Sequence, residues 1–118
     1  MTDRRETATT PEDLTRLFVE RANAHDVEGL LALYEPDAVV AFPPGQETIG
    51  HDAIRPVFEQ MLVQVPRFEP ERPNPTLRHG DIALTSTPAS DDTGGRTQVV
   101  RRQPDGSWLR VLDRPESR

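Results

Sequence analysis

The chain of 118 residues contains no cysteine and no lysine. Without cysteine there is no disulfide, no thiolate nucleophile and no thiolate metal ligand. Without lysine there is no Schiff-base amine and no phosphate-binding lysine of a P-loop. All 14 basic residues are arginine, against 20 acidic residues, so the net charge is -6. The two signs are interspersed, the Arg101-Arg102 pair is too short to form a basic tract, and only six residues are aromatic. That is the opposite of the basic, stacking surface that nucleic acid requires, so no nucleic-acid partner is expected. No apolar run reaches 18 residues, which excludes a helical membrane span. Met1 to Thr10 lacks the apolar stretch of a signal peptide, so a cytoplasmic location is expected.

What the chain does contain is patterned. A length of 118 residues allows one domain with a real core, although apolar residues make up only 34% and prolines number 12. Residues 1–9 are polar and are expected to fray; residues 10–115 form the domain and 116–118 a tail. Thr10-Pro11-Glu12-Asp13 is a helix start, with a capping hydroxyl, a proline suited to the first turn and two carboxylates at the positive end. Leu14, Leu17, Phe18, Arg21, Ala22 and His25 follow at helical spacing. A second short helix carries Val27, Leu30, Leu31 and Tyr34, and Pro36-Asp37 stops it. Ala38 to Phe42 reads as a buried strand ended by Pro43-Pro44-Gly45. Gly50-His51-Asp52 opens a third helix, with Ile54, Val57, Phe58, Met61, Leu62 and Val65 on one side and Pro56 near its start. Arg67 to Arg78 holds three prolines, so it is an edge strand or an irregular extended segment, paired or lying over the fold as a flap. Ile82 to Thr87 is a strand and Asp91 to Gly95 a loop. Thr97–Gln103 and Trp108–Leu112 are strands joined by the turn Pro104-Asp105-Gly106-Ser107. Helices followed by strands give an α+β fold, helices on one face of an antiparallel sheet.

Three stretches carry a family resemblance: Phe18 to Tyr34 (FVERANAHDVEGLLALY), Thr48 to Arg55 (TIGHDAIR) and Val100 to Pro115 (VRRQPDGSWLRVLDRP). In this order the chain resembles the NTF2-like superfamily, in particular its SnoaL-like and ketosteroid-isomerase-like members. The resemblance implies a cone-shaped barrel, three helices of the N-terminal half packed on a curved antiparallel sheet, with a pocket at the open end. It also implies frequent homodimers through the outer sheet face, where Trp108 would pack. It chooses no reaction, because members include isomerases, cyclases, dehydratases, hydrolases and plain binding modules.

The ketosteroid-isomerase mechanism needs a carboxylate base and two proton donors, a phenol and a protonated acid, to hold an oxyanion. In alignment these places fall at Phe42 for the base and at Phe18 and Gln98 for the donors, so none is matched. The candidate polar groups are different. The resemblance puts Leu109, Val111 and Asp113 on the pocket face and Trp108, Arg110 and Leu112 on the other. Asp113, beside Gln98 across the hairpin, is a candidate acid or base, or alternatively a structural acceptor at the strand end. Tyr34 is a candidate donor, or a core tyrosine with its tip at the rim. Arg102 shares strand parity with Gln98 and Val100 and could meet an anionic ligand, or be solvated. Phe18, Val40, Phe42, Phe58 and Val111 complete the expected lining. His25, His51 and His79 lie far apart in sequence, so no metal and no other cofactor is expected. Ser86 and Ser90 lack the context of a nucleophile elbow. The expected function is a pocket for a small apolar carbonyl compound, with acid-base chemistry of isomerase, cyclase or hydrolase type. The alternative is a non-catalytic dimeric interaction module.

Overall fold

The computed structural model describes residues 5–89 and 94–117, the last two as backbone only. Ser90 and most of the loop expected at Asp91–Gly95 lie outside the described residues, as do residues 1–4. The elements are α1 (Asp13–Asn23), α2 (Val27–Leu31), β1 (Tyr34–Val40), β2 (Thr48–Ile49), α3 (His51–Gln64), β3 (Leu77–His79), β4 (Ile82–Thr87), β5 (Gly95–Arg102) and β6 (Trp108–Ser117). Among the described residues no helix is long and apolar enough to cross a membrane.

Local chemistry explains most boundaries. Thr10 and Asp13 cap each other: Thr10 Oγ1 accepts from the Asp13 amide and Asp13 Oδ2 accepts from the Thr10 amide, both at 3.3 Å. The α1 helix ends with His25 at φ 55°, its amide bonded to Ala22 O and the Asp26 amide to Arg21 O. This is the paired-carbonyl stop usually made by glycine. Asp26 then caps α2 through the Gly29 amide at 3.0 Å. Pro56 sits inside α3 but is exposed, so water can serve the Asp52 carbonyl that loses its donor. Gly106, at φ 89°, closes the β5–β6 turn while Asp105 Oδ1 accepts from the Ser107 amide at 2.9 Å.

Two expectations at the N-terminal side are corrected. Tyr34 is not the end of α2; it is the first residue of β1, which runs through Pro36. Pro36 is tolerated because β1 is irregular there, its register against β6 shifting between Tyr34 and Val39. Residues 5–9 are docked rather than frayed: Ala8 is buried, and its carbonyl accepts from the Trp108 amide at 2.9 Å.

The six strands form one sheet in the order β2-β1-β6-β5-β4-β3. It is mixed rather than wholly antiparallel, because β1 lies parallel to β6. The helices cover its inner face, where Leu14, Leu17, Leu30, Ile54, Phe58 and Leu62 join Val40, Val100 and Trp108 in one core. The segment 66–76 forms no strand, and β3 begins only at Leu77.

The β6 strand carries the feature that sequence alternation misses. Val99 pairs with Leu112 and Val100 with Arg110, so Val111 is an extra residue without a partner in β5. Such a bulge switches the side-chain phase of a strand. Trp108 and Arg110 therefore point inward before it and Asp113 after it, at 1%, 4% and 6% exposure. Trp108 and Arg110, expected on the outer face, belong to the inner one. On the outer face the register aligns an apolar row with one residue per strand: Ile49, Val39, Leu112, Val99, Leu84 and Leu77.

Candidate functional site

The sheet register gathers polar residues on the inner face. Thr85 pairs with Gln98, Gln98 with Asp113, and Asp113 with Val40, giving one row across β4, β5, β6 and β1. The next row holds Ala83, Val100, Arg110 and Tyr34. All eight side chains are buried.

The polar members form a directed chain of hydrogen bonds. Thr85 Oγ1 donates to Gln98 Oε1 at 2.7 Å, which orients the amide so that its Nε2 faces Asp113 Oδ1 at 3.4 Å. The Tyr34 hydroxyl donates to Asp113 Oδ2 at 2.5 Å and accepts from Arg110 Nη1 at 3.2 Å. Arg110 Nη1 lies 3.8 Å from Asp113 Oδ2. Both carboxyl oxygens of Asp113 are thus occupied by protein donors. His51 Nε2 donates to the Tyr34 carbonyl at 2.9 Å and holds the start of β1.

Aromatic rings enclose the guanidinium. The Arg110 Cζ lies 5.1 Å from the Phe18 ring centre and 5.7 Å from that of Tyr34. Phe58 packs on both rings, at 5.9 Å from Phe18 and 5.4 Å from Tyr34. Burial, and after it the Asp113 charge, push the Tyr34 phenol well above its ordinary pKa, so it stays protonated and donates. Burial works against the Arg110 charge, but Tyr34 and Asp113 outweigh it and raise the guanidinium pKa further. One atom is left over: among the described residues, Arg110 Nε is buried and has no acceptor. A buried donor without a partner is costly, and native interiors rarely leave one.

The expected site residues divide between the interior and the surface. Asp113, Tyr34, Gln98, Val100, Val40 and Phe58 are inside, and Phe18 is half-buried against them. Phe42 lies beyond the end of β1 and is 41% exposed, so it is no part of the interior. Arg102 is exposed at the end of β5 and pairs at 2.6 Å with Asp81 in the turn just before β4. Val111 is the half-buried bulge residue, outside the inner rows. Thr85 and Arg110 were not foreseen. The one available signal was an arginine inside the apolar run Trp108-Leu-Arg-Val-Leu112, where a charge survives only if it is paired. Among the described residues no group of three or more His, Asp and Glu side chains could hold a metal ion. A cavity of about 140 Å³ lies elsewhere, under residues 5–8 beside Arg21, Leu33 and Trp108.

Three helices on a curved, unclosed six-stranded sheet make this an α+β cone of the NTF2-like type. The family model described as the SnoaL-like domain matches residues 15–113, so the chain belongs to the SnoaL-like domain family. A candidate calcium/calmodulin-dependent protein kinase type II association domain from Thiobacillus denitrificans is similar in structure, with TM-score 0.73 and 21% identity over 93% of this chain and 96% of that one. A ketosteroid isomerase-like protein from Erwinia carotovora atroseptica gives TM-score 0.67 and 18% identity, covering 86% and 88%. A candidate dehydratase of the NTF2-like family from Streptomyces avermitilis gives TM-score 0.67 and 16% identity, covering 87% and 90%. No curated protein matches the sequence significantly. At these identities the structural likeness establishes the fold and leaves the activity to the residues.

Proposed function

We propose that this chain is a small-molecule-binding domain whose ligand is an apolar compound bearing a carbonyl-type oxygen. The observation that carries this reading is the buried Arg110 Nε without an acceptor, beside the rings of Phe18 and Tyr34. The charges of Arg110 and Asp113 balance, so the cluster asks for a neutral acceptor rather than an anion. The rings suit an apolar body. Proton transfer is the chemistry this set can offer such a ligand. Tyr34 would turn its hydroxyl from Asp113 Oδ2 to the ligand oxygen, Asp113 Oδ2 so freed would take a proton from the carbon next to the carbonyl and return it, and Arg110 would hold the oxygen as charge develops. The test is native mass spectrometry of the purified protein under gentle and denaturing conditions. A neutral carbonyl compound present in the wild type and absent from Arg110→Leu supports the reading. Ligand-free protein with no thermal shift across a panel of ketones, esters and lactones refutes it.

A second reading concerns the partner, and the apolar row on the outer face favours it. Leu112 and Ile49 in that row are 48% and 58% exposed, and at about 4.8 Å per strand six strands give a strip about 24 Å long. Continuous apolar strips of this kind mark interfaces, and a second copy of the chain brings the same strip to meet it. Sedimentation tests this: a homodimer that Leu112→Arg converts to monomer supports it, and a wild-type monomer of 13.3 kDa refutes it.

A further inference from the structure

Tyr34, Arg110 and Asp113 are buried, so nothing reaches them in the conformation described. The proline-rich stretch between α3 and β3 packs against this interior through Phe68. It is anchored to three different elements. On α1, the Asn23 side chain grips the Phe68 backbone from both sides, Nδ2 donating to Phe68 O at 2.9 Å and Oδ1 accepting from its amide at 2.8 Å. The Phe68 ring then stands edge-on to Phe18, centres 6.5 Å apart, and Phe18 in turn covers the Arg110 guanidinium. On β5, Arg96 pairs with Glu71 at 2.8 Å. Arg96 lies two residues before Gln98, so the two share strand parity, and the Glu71 charge also acts on Arg110. On β4, Ser86 receives the Asn74 amide at its carbonyl at 2.8 Å and the Asn74 side chain at its hydroxyl at 3.0 Å.

We infer that residues 66–75 form a strap that closes the mouth of the cone over the Arg110 cluster, that Asn23 is its latch, and that its opening is the route by which a ligand enters. The inference rests on the reading of the cluster as a ligand site. The anchors are side-chain contacts rather than a strand ladder, so they can break without unzipping the sheet. Pro66, Pro70, Pro73 and Pro75 leave the strap few conformations, so it moves as a stiff piece that turns about its ends. The two amide bonds of Asn23 mimic the pairing a neighbouring strand would give, which makes Asn23, itself exposed, the natural point of release.

The experiment uses Tyr34 as the reporter, because it is the sole tyrosine and the chain has no lysine to compete for N-acetylimidazole. The acetylation rate of Tyr34 and hydrogen exchange by mass spectrometry are measured in the wild type, Asn23→Ala and Glu71→Gln. Losing two hydrogen bonds of ordinary strength predicts about thirtyfold faster exchange of residues 66–76 in Asn23→Ala and a matching rise in Tyr34 acetylation. The β5–β6 hairpin amides keep their wild-type rates. Faster strap exchange with unchanged acetylation overturns the inference, since the strap would then not be the cover. Strap exchange unmoved by Asn23→Ala overturns the latch. Acceleration of strap and hairpin together in both variants would mean access by general unfolding, and also overturns it. None of these readouts uses a ligand. A gated strap in a protein that carries no ligand in native mass spectra and shows no thermal shift across the panel would therefore refute the proposed function and leave the strap and its latch standing without the ligand.

Discussion

Asp113→Asn is the most informative single change. It keeps the size of the side chain and removes its charge from an interior where Arg110 has no other carboxylate within the described cluster. At 3.8 Å the pair is worth about 4 kcal/mol with an effective dielectric of about 20. Breaking a buried pair by deleting one partner costs about 3–5 kcal/mol, because the other charge is left behind. The new amide also brings N–H donors toward either Gln98 Nε2 or the Tyr34 hydroxyl, and Gln98 cannot turn away without losing Thr85. We expect a loss near the lower end, about 3 kcal/mol, since Arg110 keeps its bond to Tyr34 and its aromatic rings. With an unfolding entropy of about 2.1 cal/mol/K per residue over 118 residues, that is a fall in Tm of about 12 °C. Differential scanning calorimetry measures it. The double variant Arg110→Met, Asp113→Asn removes the stranded charge, so the two losses should fall short of additivity by about 2 kcal/mol. A Tm within about 3 °C of wild type, or strict additivity in the cycle, would show that the buried charges do not depend on each other.

Two further predictions concern single contacts. Arg101 grips Glu35 with Nε at 2.9 Å and Nη2 at 2.7 Å, and Gln103 adds a third donor at 2.7 Å, so the Glu35 carboxyl is held below its ordinary value of 4.5. A depressed carboxylate stabilises the fold above its unfolded pKa and loses that contribution as pH falls through the folded one. Glu35→Gln should cost about 1 kcal/mol at pH 7 and progressively less below pH ~4, read as a pH series of thermal melts; a difference that does not change with pH contradicts the assignment. His25 is exposed at φ 55°, a conformation that costs an L side chain about 1 kcal/mol relative to glycine, so His25→Gly should raise Tm by about 4 °C, and a lowered Tm would show that the imidazole is doing something the backbone argument omits.

The local elements were legible in the chain because their causes are local. Thr10, Pro11 and Asp13 mark a helix start through groups that touch within one turn. Pro104-Asp105-Gly106-Ser107 marks a hairpin because Gly106 can adopt the φ the turn needs. The common parity of Gln98 and Val100 puts them on one face, and the family resemblance implies that this face is the inner one. Tyr34 was misread as helical because its spacing from Leu30 and Leu31 suits a helix. Its pairing with Arg110, 76 residues away, is invisible at that range.

The sequence by itself therefore determined the order of the three helices and the main strands, the absence of cysteine and lysine chemistry, and the family to which the chain belongs. The tertiary structure decided which polar residues meet. One unpaired residue, Val111, turns Arg110 inward, and the register of four strands then sets Thr85, Gln98, Asp113 and Tyr34 around it. A bulge is a mismatch between two strands. It exists only once both are paired, so no periodicity within either strand records it.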